Sequence, residues 1–202
     1  MIKNIIFDFG DIFINLDKPA VFKEWSKFGF TKMTPEIDFL AKDYEKGNIS
    51  SDKFIAELHS IFPTAGISKI KKAWNSILLD FPEYRLEFIE QLAKDKTYRL
   101  FLLSNTNEIH IDHVIETMGE EKFQRFKNCF EKFYLSHEIK LRKPDAEIYE
   151  FVLSENNLLA EETFFVDDTK ENTIAANVLG IQTWNLIVGN EDIINLKQKI
   201  KP

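Results

Sequence analysis

The sequence of 202 residues contains a single cysteine, Cys129, so an internal disulfide bond is impossible. It also lacks any apolar run near the ~20 residues that a membrane-spanning helix requires. The apolar segment at residues 1–7 is too short for a signal-peptide core. Repeats and Gly/Ser-rich linkers are absent as well. These absences predict a globular cytoplasmic protein, and a hydrophobic content of 44% is sufficient for a buried core.

Positive charge is in short supply. The formal net charge is −7, from 26 Lys and Arg against 33 Asp and Glu, which disfavours a nucleic-acid surface but still allows a local basic spot for one small anion. No membrane, nucleic-acid or protein partner is inferred, and the lack of a coiled-coil heptad predicts a monomer. His110 and His113 share a helical face, but no nearby acid or cysteine completes a metal site, which favours packing or surface roles.

Short apolar segments alternate with helical patterns through most of the chain. This alternation predicts an α/β fold with a doubly wound, parallel, Rossmann-like sheet. The strand-like segments, rich in aromatic and branched residues, are 4–8, 99–104, 132–135, 163–167 and 181–185. The helical patterns that accompany them are 84–94, 109–118, 146–156 and 170–179.

The exception is a stretch near the N-terminus in which no strand pattern occurs. Its helical patterns, punctuated by proline and glycine, are 20–28, 36–46, 51–61 and 68–79. We therefore expect an all-helical cap domain, residues 16–82, inserted into a core formed by residues 1–15 and 83–202. An insertion that follows the C-terminal end of a strand hangs over the mouth of the sheet and can act as a lid.

Two of the predicted strands end in carboxylates. Asp8 follows an apolar run, and the pair Asp167 and Asp168 follows another. Ligands of open α/β sheets bind outside the carboxyl ends of the strands, so these acids are expected to meet there. Ionised carboxylates repel one another unless a cation offsets their charge, and Mg²⁺ is the natural oxygen-liganded ion.

Two further segments offer anion contacts. Ser104 and Asn105 end the second strand, where hydroxyl, amide and backbone N–H groups can bind an anion. Lys143, in the loop before a helical pattern, can neutralise a phosphate beside the carboxylates. Singly, each residue has a common alternative: Asp8 as a turn former, Ser104 and Asn105 as helix caps, and Lys143 as a solvated loop residue.

Taken in order, these segments resemble the four-motif signature of the haloacid dehalogenase superfamily. The four motifs are IFDFGD at 6–11, LLSN at 102–105, RKP at 142–144 and FVDD at 165–168. The segment YEKGNIS at 44–50 is similar to the helical cap of subfamily I. The resemblance covers nearly the whole chain, and the four motifs together are highly specific.

The resemblance implies a Mg²⁺-dependent phosphatase for a small phosphorylated metabolite, with sugar phosphates favoured. Asp8 would attack the phosphoryl group to give an aspartyl-phosphate, which water hydrolyses. Ser104, Asn105 and Lys143 would bind the substrate. Mg²⁺ would be held by the Asp8 carboxylate, the Gly10 carbonyl and Asp168, with Asp167 either a further ligand or a partner of the ligands.

Gly10 is a departure from the family pattern. Most phosphatases of the family have an aspartate here that acts as general acid and base, and loss of such a group costs ~10²–10⁴ in rate. Sugar 1-phosphates and acyl phosphates, whose leaving groups are better, tolerate the loss. Relatives similar to glucose-1-phosphate phosphatases also carry glycine here. Asp11, or a residue of the cap, is the candidate to transfer the proton.

Two other functions stay open at this point. In a 2-haloacid dehalogenase the same aspartate attacks carbon without a metal, although Asp167 and Asp168 would repel a carboxylate substrate. A phosphometabolite-binding protein without efficient turnover would keep the pocket and lose the acid. The presence of Asp8, Lys143 and both metal carboxylates argues against it.

Overall fold

The computed structural model describes residues 1–30 and 32–200 and contains a parallel sheet of five strands in the order β3-β2-β1-β4-β5. The α/β fold that the sequence predicts is confirmed. β1 lies at the centre of the sheet and pairs with β2 and β4 along its whole length. The strands are β1 Asn4–Phe7, β2 Arg99–Ser104, β3 Lys132–Leu135, β4 Thr163–Asp167 and β5 Gln182–Asn185.

Helices lie on both faces of the sheet and over its carboxyl end. The first four helices follow β1 in the chain and precede β2: α1 Ala20–Ser26, α2 Pro35–Glu45, α3 Ser51–Ile61 and α4 Ile67–Asn75. The others are α5 Glu83–Asp95, α6 Glu108–Met118, α7 Glu120–Lys127, α8 Ser136–Ile139, α9 Ala146–Glu155, α10 Lys170–Val178 and α11 Leu196–Lys199. The short helices α7, α8 and α11 were not predicted from the sequence.

The central strand β1 is buried on both faces, which explains its continuous apolar sequence. Ile5 and Phe7 pack in a cluster with side chains of α5, α6 and α7, whereas Ile6 packs on the opposite face with α9 and α10. The alternation of side chains along a strand assigns these residues to opposite faces. The two layers of helices hold β1 in place from both faces, and Asp8 follows directly at its carboxyl end.

Helices α1 to α4 have a hydrophobic cluster of their own, and we call residues 16–82, which contain them, the cap. Trp25 of α1 stacks on Trp74 of α4 with ring centroids 5.8 Å apart, and Tyr44 of α2 stacks on Phe54 of α3 at 4.2 Å. Each fully buried aromatic side chain stabilises the folded state by about 1.5–3 kcal/mol. Ile109 of α6 belongs to the same cluster, so the cap packs on the core.

Two of the four helices of the cap, α2 and α3, begin at a side-chain hydrogen bond to a backbone N–H. Thr34 accepts a hydrogen bond from the Ile37 N–H before α2, and Ser50 accepts one from the Lys53 N–H before α3. Among the described residues, no helix is long and apolar enough to cross a membrane.

Candidate active site

The carboxyl ends of β1 and β4 bring Asp8 and Asp167 side by side. Phe7 is in register with Val166, and the Asp8 N–H donates a hydrogen bond of 2.9 Å to the Val166 carbonyl. Ser104 ends the neighbouring strand β2. The parallel sheet therefore delivers the predicted acids and Ser104 to one edge, as the position of each after its strand predicts.

Lys143 joins two of these carboxylates. Its Nζ lies 2.8 Å from Oδ1 of Asp8 and 2.7 Å from Oδ2 of Asp167, and its side chain is only 1% exposed. A charged amine is buried only when it is paired in this way. The ammonium therefore belongs to the interior of the site rather than to a solvated loop.

Asp167 is fully buried, and its oxygens accept three hydrogen bonds. Besides Lys143, the Asn172 amide donates to Oδ2 at 3.0 Å and the Thr169 N–H donates to Oδ1 at 2.8 Å. These donors fix the orientation of the carboxylate. The contacts favour Asp167 as the residue that holds Lys143 in place, rather than as a freely available metal ligand.

Asp168 lies at the edge of the same cluster and forms an ion pair with Lys18, which lies in the cap just before α1. The Lys18 Nζ also lies 3.1 Å from Oδ2 of Asp11. Burial lowers the pKa of Lys18, but the two carboxylates outweigh burial and raise it above its ordinary value. Lys18 was not predicted as a site residue, because nothing in its local sequence indicates that it reaches back to β4.

Asp11 has a left-handed backbone with φ of 56°. Its Oδ1 accepts a hydrogen bond of 3.0 Å from the Leu16 N–H, while Oδ2 faces Lys18. The side chain thus forms its contacts within the loop that contains it. Asp11 is not among the residues that line the cavity beside Asp8. A proton-transfer role for Asp11 stays a prediction that these contacts do not favour.

The Asn105 side chain hydrogen-bonds to both backbone polar groups of Lys143. Its Nδ2 donates to the Lys143 carbonyl at 2.8 Å, and its Oδ1 accepts from the Lys143 N–H at 2.9 Å. Asn105 thus positions Lys143 while it lines the cavity with Ser104. The second N–H of Nδ2 and the second lone pair of Oδ1 stay available, so the predicted substrate contact of Asn105 is compatible with these bonds.

Gly10 also lines the cavity, and Leu16 lies against it. A Cβ atom on Gly10 would be 2.8 Å from Cδ1 of Leu16. Leu16 therefore stands where the side chain of an aspartate at this position would begin. This leucine is a second residue that sequence reasoning missed.

The cavity outside Asp8 has a volume of about 420 Å³, in the range of small-molecule sites. One end contains Asp8, Ser104 and Lys143, and the cap and the loops after β3 and β4 form the rest. Residues beyond the predicted site that line it are Leu16, Lys18, Glu45, Arg142, Pro144, Thr169, Glu171 and Asn172. Glu45 and Arg142 form an ion pair of 3.0 Å within it.

The cap is fixed to the core by hydrogen bonds near the site. Ser136 of α8 lies 2.7 Å from the carbonyl of Glu45 through its Oγ, which also accepts from the Thr106 N–H at 2.9 Å. The Tyr44 hydroxyl accepts from the Ile109 N–H at 3.2 Å. The end of α2 is thereby tied to the loop that follows Ser104.

A second tie connects α4 to α6. The Trp74 Nε1–H donates to Oδ1 of the Asn107 side chain at 3.3 Å, and the indole stacks on His110 with centroids 5.0 Å apart. His110 Nε2 lies 3.2 Å from the Trp74 carbonyl, which makes it the donor, and Nδ1 accepts from the Asn107 amide at 3.1 Å. His110 thus has a packing role, as the sequence favours, and burial lowers its pKa to about 4.

The donor set fits a hard divalent cation. Asp8, Asp167 and Asp168 each offer an oxygen, and the chosen atoms lie within 4.8 Å of one another. Oxygen ligands from carboxylates, with a backbone carbonyl such as that of Gly10 nearby, suit Mg²⁺ rather than a thiophilic metal. The residues present therefore fit the cation that the sequence predicts.

The electrostatics of Asp8 also fit a bound cation. Burial raises the pKa of Asp8 to about 7, the Lys143 ammonium opposes this effect, and Asp167 reinforces it. Burial lowers the pKa of Lys143, but Asp167 and Asp8 outweigh burial and hold it above its ordinary value. A cation beside Asp8 would favour the ionised carboxylate that a nucleophile requires.

Comparison with known proteins identifies similar chains. The sequence profile of the haloacid dehalogenase-like hydrolase family matches residues 5–186. A D-ribitol-5-phosphate phosphatase of Bacteroides thetaiotaomicron is 27% identical over 190 residues, which cover 91% of each chain. A sesquiterpene phosphatase of Aspergillus oryzae is 38% identical over 161 residues, which cover 79% of this chain and 78% of that protein.

Solved structures of haloacid dehalogenase enzymes are also similar to this chain. A haloacid dehalogenase family enzyme of B. thetaiotaomicron in its magnesium complex is 35% identical, with a TM-score of 0.83 over 98% of this chain and 99% of that one. The same enzyme in complex with magnesium and inorganic phosphate is 34% identical, with a TM-score of 0.78 over 95% of this chain and 97% of that one.

Proposed function

Because the chain belongs to the haloacid dehalogenase-like hydrolase family, we propose that it is a Mg²⁺-dependent phosphatase of a small phosphorylated metabolite, with a sugar or alditol phosphate as substrate. The arrangement of Asp8, Lys143 and Asp167 carries the proposal. A carboxylate stands at the mouth of a cavity with a buried ammonium 2.8 Å away, and a second carboxylate fixes that ammonium. The phosphatase names of two relatives and the phosphate complex of a similar enzyme support it.

In the first half of the reaction, an Asp8 oxygen forms a bond to phosphorus while the bond from phosphorus to the leaving oxygen breaks. Lys143 offsets the repulsion between the carboxylate and the phosphate dianion, and Ser104 holds a phosphoryl oxygen. The leaving alkoxide takes up a proton from water, since Gly10 offers no acid at this point. The product is an alcohol and an aspartyl-phosphate on Asp8.

In the second half, water attacks phosphorus, the bond to Asp8 breaks, and inorganic phosphate leaves. Asp8, Asp168 and the Gly10 carbonyl would hold Mg²⁺, with Asp167 orienting Lys143. The bound cation supplies positive charge that stabilises the phosphoryl oxygens. The cap covers this end of the site, so a small metabolite fits the cavity and a folded phosphoprotein does not.

The alternatives that the sequence left open receive less support. A haloacid carboxylate would enter a site with three acids, Asp8, Asp167 and Asp168, where it would be repelled. A binding protein without turnover would not require Asp8 to be paired with a buried Lys143. The cytoplasmic location and the monomeric state stay predictions.

The proposed function is tested by phosphate release from sugar, alditol and acyl phosphates and from 4-nitrophenyl phosphate, with Mg²⁺ or EDTA. We expect Mg²⁺-dependent release that Asp8→Asn lowers by at least ~10⁴. A matched control is Asp145→Asn, because Asp145 is a half-exposed acid that pairs with Lys46 outside the cavity. Folded wild-type protein that releases phosphate from none of these substrates would refute the proposal.

The covalent step has its own readout. Acid quenching during turnover, followed by mass spectrometry of the peptide that contains Asp8, should find a phosphoryl adduct. Turnover without any adduct, and with activity retained in Asp8→Asn, would indicate direct attack by water and remove Asp8 as nucleophile.

A further inference from the structure

The ion pair between Glu45 and Arg142 lies in the cavity but has no part in the chemistry described above. Glu45 is the last residue of α2 in the cap, and Arg142 precedes Lys143 in the core. Their oxygen and nitrogen atoms are 3.0 Å apart, and the side chains are 24% and 18% exposed. The pair therefore connects the cap to the loop that carries Lys143, at the wall of the substrate cavity.

Stability alone does not account well for this pair. Removing two charges from water costs free energy that their attraction often does not recover, and apolar residues in such places are frequently as stabilising. Burial raises the pKa of Glu45 even though Arg142 opposes the shift. The Nε of Arg142 is buried and has no hydrogen-bond partner among residues 1–30 and 32–200, so it is closed to a substrate as well. The pair joins one terminal nitrogen of Arg142 to Oε2 of Glu45, which leaves Oε1 of Glu45 and further terminal N–H groups of Arg142 for a molecule in the cavity.

The position of Glu45 is fixed by the contacts of its backbone. Its carbonyl contacts the Ser136 hydroxyl at 2.7 Å, and a Cβ on Gly47, two residues later, would lie 2.0 Å from the His137 carbonyl oxygen. The backbones of the cap and α8 therefore approach each other here at a distance that only glycine allows. Glu45 is therefore held at a constant place relative to the phosphate end of the cavity.

We propose that Glu45 and Arg142 together bind the hydroxyl groups of the substrate's carbon chain, so that alditol and open-chain sugar phosphates are substrates and terpenyl phosphates are not. The inference rests on the proposed phosphatase function and names the substrate class of that same site. A carboxylate accepts hydrogen bonds from hydroxyl groups, and a guanidinium donates to their oxygens. Lys18, Thr169 and Glu171 extend the polar wall, whereas an apolar prenyl chain would remove these polar groups from water without offering them any hydrogen bond.

The test uses three substrates with wild-type protein and two variants. D-ribitol 5-phosphate and pentyl phosphate have the same number of chain carbons and both release an alkoxide, but only the first carries chain hydroxyls. 4-Nitrophenyl phosphate needs neither hydroxyl recognition nor an acid. The variants are Glu45→Gln and Arg142→Met.

The control is Lys46→Met. Lys46 forms the neighbouring ion pair of 2.8 Å with Asp145, which joins the same two parts of the chain outside the cavity, and the substitution breaks it. We expect Glu45→Gln and Arg142→Met to lower kcat/KM for ribitol phosphate by about 10- to 100-fold, mainly through KM, as loss of hydrogen bonds to charged groups does. Hydrolysis of pentyl phosphate and 4-nitrophenyl phosphate should change less than about threefold, and Lys46→Met should leave all three substrates unchanged.

Three outcomes would overturn the inference while the phosphatase function stands. The first is wild-type protein that hydrolyses pentyl phosphate as well as ribitol phosphate. The second is an equal loss on both substrates in Glu45→Gln, which would indicate proton donation to the alkoxide. The third is no effect of either variant on ribitol phosphate.

A binding measurement separates this inference from failure of the function. In Asp8→Asn protein, which cannot form the phosphoenzyme, calorimetry should give tighter binding of ribitol 5-phosphate than of pentyl phosphate, and Glu45→Gln should remove the difference. Equal affinities would refute hydroxyl recognition. Wild-type protein without phosphatase activity would refute the proposed function instead.

Discussion

Leu16 occupies the space beside Gly10 into which a longer side chain would extend: a Cβ on Gly10 would lie 2.8 Å from Cδ1 of Leu16. Most phosphatases of the family have their general acid and base at this position. Here the substitution by glycine is accompanied by a leucine that fills the gap. The loss of the acid is therefore built into the packing of the loop, rather than limited to one position.

Gly10→Asp should be an inefficient acid unless Leu16 moves. Only the Cδ1 end of the flexible, half-buried Leu16 side chain would have to shift, so the substitution should cost no more than about 0.5–1.5 kcal/mol in the free energy of unfolding. Gly10→Asp combined with Leu16→Ala should hydrolyse alkyl phosphates faster than Gly10→Asp alone, although the second substitution removes apolar contacts with the core. Urea unfolding and kcat on pentyl phosphate measure both effects. Equal rates in the single and double variants would show that Leu16 is no obstacle.

Lys143→Met should reduce stability as well as activity, because it leaves Asp8 and Asp167 buried without their common partner. Breaking a buried ion pair costs about 3–5 kcal/mol. Adding Asp167→Asn removes one uncompensated charge, so the double variant should regain part of this stability while remaining inactive. Urea unfolding at pH 7 tests this. A double variant as unstable as Lys143→Met would contradict the assignment of Asp167 as the partner of Lys143.

Gly47→Ala should disturb the contact between cap and core. Gly47 has φ of 65°, and a Cβ would lie 2.0 Å from the His137 carbonyl oxygen. Gly29→Ala is the control, since Gly29 has φ of 90° shortly after the end of α1 but no heavy atom of the described chain lies within 4 Å of such a Cβ. Both variants incur backbone strain of order 1 kcal/mol, and Gly47→Ala should lose at least about 2 kcal/mol more. Thermal unfolding of the two proteins gives the comparison, and equal losses would exclude the steric contact.

The contribution of His110 to the free energy of unfolding should fall in mild acid. Burial lowers its folded-state pKa from 6.5 to about 4. Below pH 6.5 the unfolded chain binds a proton that the folded protein does not, so this contribution is present above pH 6.5 and is lost as the pH falls toward 4, by up to about 3 kcal/mol. Asp8, whose pKa burial raises to about 7, acts in the opposite direction over the same range, so the measurement is the difference between wild type and His110→Phe, which keeps an aromatic ring against Trp74. Denaturant unfolding of both proteins between pH 4 and 7 should show wild type losing stability relative to the variant as the pH falls, and a constant difference would exclude His110 as the cause.

Magnesium affinity should respond in opposite directions to two substitutions at one ion pair. Asp168→Asn removes a proposed ligand and should weaken Mg²⁺ activation about 10- to 100-fold. Lys18→Met removes the ammonium that pairs with Asp168 and Asp11, so Mg²⁺ should bind more tightly. Calorimetric titration with Mg²⁺ checks both without turnover. Weaker binding in Lys18→Met would mean that Lys18 supports the cation site instead of competing with it.

The strands and the acids that follow them could be predicted because the signals are local. An apolar run that ends in Asp8, and another that ends in Asp167, identifies both the strand and its functional end. Parallel packing then brings the two ends to one edge whatever the details of the loops. The same logic placed Ser104 correctly.

The direction of Asp11 and the roles of Lys18 and Glu45 could not be predicted, because they depend on how distant segments dock. Glu45 reaches the cavity only because Ser136, far along the chain, holds its carbonyl. Asp11 turns away because the Leu16 N–H and Lys18 engage its oxygens. No periodicity or short motif contains these contacts, which arise from tertiary structure.

The central position of β1 also governs when the protein becomes chemically competent during synthesis. β1 leaves the ribosome before its two neighbours, and of these β2 follows about 90 residues later and β4 about 155 residues later. Pairing between such distant segments forms late and slowly. Even after β2 has paired with β1, Asp8 therefore has neither Lys143 nor Asp167 beside it until β4 has emerged. A chain stalled before β4 carries Asp8, the proposed nucleophile, but has no assembled site for phosphoryl transfer.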